Sequence, residues 1–367
     1  MQNYNTETPE KVYGKVREHK EGFFTRVIRS LFTGCLSCGC LVLLAAGALT
    51  ALAVWLFSGD CGIKNCTGIL QNDSGNHFTE EYVSGARAAK DKIAVITVKG
   101  LITRDENASL SSCAVSGNIL RQLEQAVTDE DVKAVIMDLD TPGGEVTASD
   151  EIWKKILEVR KKKPVAAMMN TLCASGGYYI AAACSPIVAN KYTLTGSIGV
   201  IISTWNYKGL FDKIGLKSEV YTSGKMKDML NGARERTPEE VVLVNTLVKN
   251  AYEGFLRVVA VSRNIPEETL RNSIIGDGRI FDGKQAYALK LVDQLGYFED
   301  AVKKTAEAAK LKEYQVVRYE NKLDFGKFFT ILSARTGAVS LVLPGTGNME
   351  KGTLLKKGVL YYLPAGY

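Results

Sequence analysis

Hydrophobic and polar positions divide the chain into stretches of different texture. Residues 1–30 are polar and mixed in charge, whereas 31–57 hold no Asp, Glu, Lys or Arg and 41–57 are almost wholly apolar. A bilayer is crossed by roughly 20 apolar residues, so this segment predicts a transmembrane helix. Lys11, Lys15, Arg17, Lys20, Arg26 and Arg29 precede it. The positive-inside rule then predicts a single-pass protein of the cell membrane, with a cytoplasmic N-terminus and an extracytoplasmic remainder. The long polar start favours an uncleaved anchor over a removed signal peptide. Residues 58–91, rich in Gly, Asn, Asp, Ser and Glu, predict a linker.

Beyond the linker, short apolar runs alternate with segments of helical spacing. Residues 92–98 predict a strand closed by Gly100, and 115–127 a helix with Ile119, Leu120, Leu123 and Val127 on one face. Residues 132–140 predict a second strand, broken at Thr141-Pro-Gly-Gly144. Thr147 or Ser149 can then cap a helix running to about Lys162. A third strand over 164–170 leads into the stretch Thr171-Leu-Cys-Ala-Ser-Gly-Gly-Tyr-Tyr-Ile180, which opens a helix. Short strand segments follow at 187–189 and 194–202. This alternation predicts an α/β fold of parallel βαβ units with right-handed crossovers. Farther on, the pattern predicts a short helix over 206–214 and a strand over 217–221. A long amphipathic helix opens at Thr237-Pro238 and runs to about Arg263, with acids in its first turn. More helices are expected after Pro266, after 281–286 and over 298–309, with a strand over 314–319. The organisation expected is thus a cytoplasmic segment 1–30, an anchor 31–57, a linker 58–91, a catalytic domain 92–312 and a C-terminal extension 313–367 without a readable pattern.

Composition narrows the chemistry. The net charge of +6 is modest for 367 residues, and no basic cluster interleaved with aromatics predicts a nucleic-acid face. The two histidines, His19 and His77, lie before the expected core, which removes a Ser-His-Asp triad or a His general base there. A serine nucleophile would need another base, and lysine is the usual substitute. The eight cysteines do not form the double CxxC…CxxC pattern of a zinc site, and no metal or cofactor is expected. Cys61 and Cys66 would pair only on an oxidising side, while Cys173 and Cys184 read as small core residues.

Ser175 stands between a buried strand and a helix and is followed by two glycines. Those glycines permit close approach of a substrate backbone, and a helix N-terminus offers N–H groups to an oxyanion. The plainer alternative is a turn whose serine only caps the helix. Three features change the balance. Asp140-Thr-Pro-Gly-Gly144 sets paired glycines at a strand end, Thr195-Gly-Ser197 opens another apolar segment, and Ser223-Gly-Lys-Met-Lys-Asp228 supplies lysines.

In this order the blocks Asp140-Thr-Pro-Gly-Gly-Glu-Val146, Ala174-Ser-Gly-Gly-Tyr-Tyr-Ile180, Leu194-Thr-Gly-Ser-Ile-Gly-Val200 and Ser223-Gly-Lys-Met-Lys-Asp228 resemble the signal peptide peptidase A family. That family, also called protease IV, is membrane-anchored and has a ClpP/crotonase-like fold, a spiral of ββα units. The resemblance covers roughly residues 92–310. It implies a serine endopeptidase with a Ser/Lys dyad that degrades remnant signal peptides and other short unfolded peptides through an acyl-enzyme. Carried over by position, Ser175 is the nucleophile and Lys227, directly before an aspartate, the general base, with Lys225 as runner-up. Ser197 orients the lysine, and Gly144 and Gly176 form the oxyanion hole. The resemblance also implies a homo-oligomeric ring with the dyad shared between protomers.

Two other functions fit parts of the pattern. A crotonase-fold hydratase acting on CoA thioesters would need an acidic base near the glycine pair, where Glu145 is the one candidate. A membrane-anchored scaffold would use the same ring only to bind peptides.

Overall fold

A computed structural model describes residues 78–106, 113–321 and 361–362, all within the compact unit Gly75–Tyr367. The expected anchor and the Cys61–Cys66 pair lie outside the described residues. Among the described residues no helix is long and apolar enough to cross a membrane.

The fold is mixed α/β, built on two sheets. The larger takes its strands in the order β1 (Phe78–Gly85), β12 (Gln315–Asn321), β2 (Lys92–Lys99), β5 (Val132–Thr141), β7 (Val165–Ala174), β8 (Ile187–Ala189) and β11 (Gln294–Leu295). Strand β9 (Leu194–Gly196) pairs with the far end of β7 and also with β10 (Ile280–Phe281). From β12 to β11 the neighbours are parallel; β1 at the edge runs antiparallel, as does β10 against β9. The central strands are apolar on both faces because both faces are covered. Ala94, Ile96, Val135, Met137 and Ala167 share one core with helices α1 (Ser116–Thr128) and α2 (Val146–Arg160). Ile93, Val95, Ala134, Ile136 and Met168 pack in the other with Ala301, Val302 and Ala306 of a late helix, Phe298–Ala308.

The second sheet is small, in the order β13 (Tyr361–Tyr362), β6 (Gly144–Glu145), β3 (Leu101–Thr103) and β4 (Cys113–Val115). Long strands of the first sheet pass into short strands of the second through glycines in the left-handed region. Gly100 (φ +80°) joins β2 to β3, and Gly143 (φ +103°) precedes β6. The Thr141 hydroxyl ties the two turns together, donating to the Gly100 carbonyl at 2.6 Å and accepting from the Gly143 N–H at 3.0 Å. The order long strand, short strand, helix thus occurs in β5, β6 and α2, and with β4 interposed in β2, β3 and α1, whereas β7 leads directly into the helix Gly176–Ala181.

Several local expectations change. Residues 78–85, inside the expected linker, form edge strand β1. Helix α2 begins at Val146 and is capped by neither Thr147 nor Ser149; the Ser149 hydroxyl instead donates to the Glu145 carbonyl at 3.0 Å. Residues 217–221 form no strand: among the described residues no partner strand lies beside them, and Tyr221 is 91% exposed.

Candidate active site

The site is built where β7 ends. Ser175 follows the last β7 residue and adopts φ +53°, ψ −114°, a strained backbone for a residue with a Cβ. Two hydrogen bonds hold it there. Its N–H donates to the Gly196 carbonyl at 2.8 Å, and its carbonyl accepts from the Tyr179 N–H at 2.9 Å. The following helix, α3 (Gly176–Ala181), receives no side-chain cap from Ser175, which removes the plainer role for the serine. The Oγ is buried and has no hydrogen-bond partner among the described residues. Buried hydroxyls nearly always find a partner, so an orphan at a strained turn marks a group held for another purpose.

One wall of the site is β9. Its register against β7 pairs Ala174 with Gly196, so Ser197 (φ +50°) comes next to Ser175 one step beyond the strands. The Ser197 N–H donates to the Arg279 carbonyl at 2.8 Å, fixing that turn. Thr195 adds a hydroxyl bond to the Cys173 carbonyl at 2.6 Å.

The opposite wall is the β5–β6 turn, pressed against the start of α3. A Cβ on Gly143 would lie 2.6 Å from the Gly176 nitrogen and 3.0 Å from the Ala174 carbonyl oxygen. One on Gly176 would lie 3.1 Å from the Gly144 nitrogen and 2.6 Å from Ser149 Oγ. The two backbones touch because neither carries a side chain. Gly143, which the motif reading left without a role, is therefore the turn's indispensable residue. Its only signal in the sequence is the doubled glycine, which does not say which member takes positive φ.

A peptide already lies along this wall. Tyr361 and Tyr362 run antiparallel to Glu145 and Gly144, and on the other side Tyr361 exchanges backbone hydrogen bonds of 3.1 and 3.2 Å with Ile201. The Tyr362 ring is buried against Tyr179 (centroids 4.9 Å, 23° between planes) and Phe255 (4.6 Å). Burial, with the Asp150 carboxylate that accepts the Tyr179 hydroxyl at 2.7 Å, pushes that phenol well above its ordinary range. The Tyr362 phenol is pushed up by burial as well, so both stay neutral.

Glu145 does not serve as a free base. Its carboxylate accepts from the Thr103 hydroxyl at 2.8 Å and from the Arg104 N–H at 3.1 Å, closing the end of β3. These two bonds give the carboxylate a structural part at the end of β3.

The lysines are not brought to Ser175 within the chain. Lys227 is exposed in a turn, and Lys225 pairs with Glu239 at 2.6 Å. The orphan Ser175 hydroxyl shows that neither reaches it. The structure therefore assembles Ser175, Gly144, Gly176 and Ser197, and leaves Lys227 apart.

The model of peptidase family S49 matches residues 158–312, which include Ser175, Ser197 and Lys227. The chain is 36% identical over 289 residues to "Putative signal peptide peptidase SppA" of Enterococcus faecium, covering 78% of this chain and 82% of that one. It is 34% identical over 227 residues to "Serine protease SPPA, chloroplastic" of Arabidopsis thaliana, covering 61% of this chain and 33% of that longer one. With "Protease 4" of Salmonella typhi the identity is 33% over 257 residues, 69% of this chain and 40% of the relative.

Proposed function

Since the chain belongs to peptidase family S49 and is a serine peptidase, we propose that Ser175 is its nucleophile and Lys227 its general base. The observation that carries this reading is the buried, unpartnered Ser175 hydroxyl at a strained turn, beside a groove in which an extended segment pairs with β6. Ser175 Oγ attacks the scissile carbonyl carbon while Lys227 Nζ takes the hydroxyl proton. The N–H groups of Gly144 and Gly176 face the oxyanion. The intermediate collapses to an acyl-enzyme, and Lys227 returns the proton to the leaving amine. Water, deprotonated by the same lysine, then releases the acyl group. Ser197 orients the amine.

Lysine is a base only as the neutral amine, which burial favours by penalising the ammonium. An exposed Lys227 does not meet that requirement in a single chain. A second copy of the chain would both bring the lysine to Ser175 and dry it, so the working form is a homo-oligomeric ring with the dyad shared between protomers. Exposed apolar residues around the lysine arm support this: Trp205 is 83% exposed, and Leu210, Ile214, Leu216 and Tyr221 are uncovered as well.

Substrates are extended peptides threaded as β-strands, and remnant signal peptides left in a membrane fit a site whose chain carries the anchor expected at 31–57. The protein then works as an endopeptidase on the extracytoplasmic face. Ser175→Ala and Lys227→Ala proteins assayed on a fluorogenic peptide test this, with Lys225→Ala as control. Loss in the first two with retention in the third supports the reading; retained activity in Lys227→Ala refutes the base assignment.

A further inference from the structure

Residues 223–236, which carry Lys227, form turns with no helix or strand. A general base must nevertheless be held to within roughly 0.5 Å of its working position. Local backbone bonds supply part of the order: the Lys227 N–H donates to the Gly224 carbonyl at 3.0 Å, and the Asn231 N–H to the Asp228 carbonyl at 3.0 Å. These close single turns and do not anchor the loop to anything rigid.

The anchor nearest Lys227 is Arg234, which grips the adjacent Asp228. Its guanidinium takes the Asp228 carboxylate in a fork, Nε to Oδ2 at 2.9 Å and Nη2 to Oδ1 at 2.7 Å. On its other side Nη1 donates to Glu240 Oε2 at 3.0 Å and to the Glu235 carbonyl at 2.9 Å. Glu240 belongs to the first turn of α5 (Pro238–Arg263) and its side chain is 1% exposed. Its carboxylate also accepts from the Thr237 N–H at 2.9 Å, while its own N–H donates to the Thr237 hydroxyl at 3.2 Å. A continuous set of charge-assisted bonds therefore runs from a 26-residue helix through Glu240 and Arg234 to Asp228, the residue bonded to Lys227. Lys225, two residues earlier, adds an exposed ion pair to the same helix turn, at Glu239, and exposed pairs of this kind hold little.

We propose that Arg234 is a positioning residue for catalysis, clamping the Lys227 loop to the N-terminus of α5 through Asp228 and Glu240. This rests on Lys227 being the base. It gives a physical reason for the aspartate that follows the lysine: Asp228 is the handle by which the loop is held. One guanidinium serves two carboxylates at once with a planar fork, and an ammonium does not reproduce that geometry.

The test is steady-state kinetics on the full-length protein at its native assembly size. For Arg234→Ala, kcat is expected to fall about 100-fold, the loss that follows displacing a catalytic group by about 1 Å, with KM within about threefold of wild type. Arg234→Lys recovers only part of kcat. Asp228→Ala falls as far as Arg234→Ala, and the double variant falls no further, as for two residues acting through one contact. If Arg234→Ala fails to assemble, Asp228→Asn, which keeps one acceptor oxygen, is judged by the same kcat and KM criterion. A kcat within about threefold of wild type for Arg234→Ala, or for Asp228→Asn in its place, overturns the clamp if Lys227→Ala is inactive. An active Lys227→Ala would overturn the base assignment instead, so the two failures are separable.

Discussion

The two halves of the site are built on opposite terms. Around Ser175 the flanking residues Ala174 and Gly176 are buried, two walls touch through glycine, and the turn is locked by its N–H on the Gly196 carbonyl and by the Tyr179 N–H on its own carbonyl. Around Lys227 the chain is exposed and without regular structure, held by side-chain bonds from Arg234 to Asp228 and Glu240 and from Lys225 to Glu239, and by the Tyr207 N–H on the Gly232 carbonyl. The first half is finished within one chain. The second leaves apolar side chains, Trp205 and Tyr221 above all, exposed among the described residues. A strained nucleophile can be made in advance because packing bears its cost, whereas a lysine that must lose its charge needs a dry environment that an exposed arm lacks. If Lys227 is the base, the closing step of the site falls between copies.

The largest effect expected is from Ser175→Ala. In a hydrolase of this type, loss of the nucleophile costs on the order of 10⁵ to 10⁶ in turnover, with the melting temperature unchanged because the removed hydroxyl has no partner to lose. Gly143→Ala comes next. It forces a Cβ at φ +103° into the Gly176 nitrogen and the Tyr362 carbonyl, so the Gly144 and Gly176 amides part. An oxyanion donor is worth on the order of 10² to 10³ in kcat, and a peptidase assay of refolded, assembled protein reads this. Gly215→Ala, whose Cβ meets nothing within 4 Å, is the comparison glycine of positive φ.

A smaller effect concerns the groove. If Tyr361 and Tyr362 occupy it about nine-tenths of the time, cutting the chain after residue 360 lowers the apparent KM for short peptides about tenfold; an unchanged KM would show that substrate binds elsewhere. The smallest concerns acid. The Arg234 guanidinium holds the Asp228 and Glu240 carboxyls down at about 2. Depressed carboxyls add stability that is complete above their unfolded values and is lost as pH falls through their folded ones. The melting-temperature difference between wild type and Arg234→Ala is therefore expected to stay constant above about pH 5 and shrink towards pH 2. A difference that grows in acid would contradict the ion-paired clamp.

Much of this was legible in the sequence, for a physical reason. Strands 92–98, 132–140 and 164–170 each hold an unbroken apolar run buried on both faces, at Ile93–Ile96, Ala134–Met137 and Val165–Met169, and Thr237-Pro238-Glu-Glu240 opens a helix as its residue types predict, through a capping box. The edge strand Phe78–Gly85 escaped notice because its burial is partial and its residues are those of a linker. The short strands of the second sheet are set by partners distant in the chain, and Tyr361–Tyr362 carries no local signal of its pairing with Gly144 and Glu145. Residues 217–221 have strand-like composition but no strand to join. At the site, the motifs identified what sits around Ser175. They did not single out Gly143, or Arg234, whose role depends on a fork between carboxylates six residues away on either side.

The central claim is that Ser175 and Lys227 form one dyad across two copies of the chain. Ser175→Ala and Lys227→Ala proteins, each inactive alone, can be co-expressed with different tags and purified as mixed assemblies. Interfaces that join an intact Ser175 to an intact Lys227 should restore a substantial fraction of wild-type turnover, with a serine-directed acylating probe labelling only the Lys227→Ala chains. Mixed assemblies that stay as inactive as the parents would contradict a shared dyad.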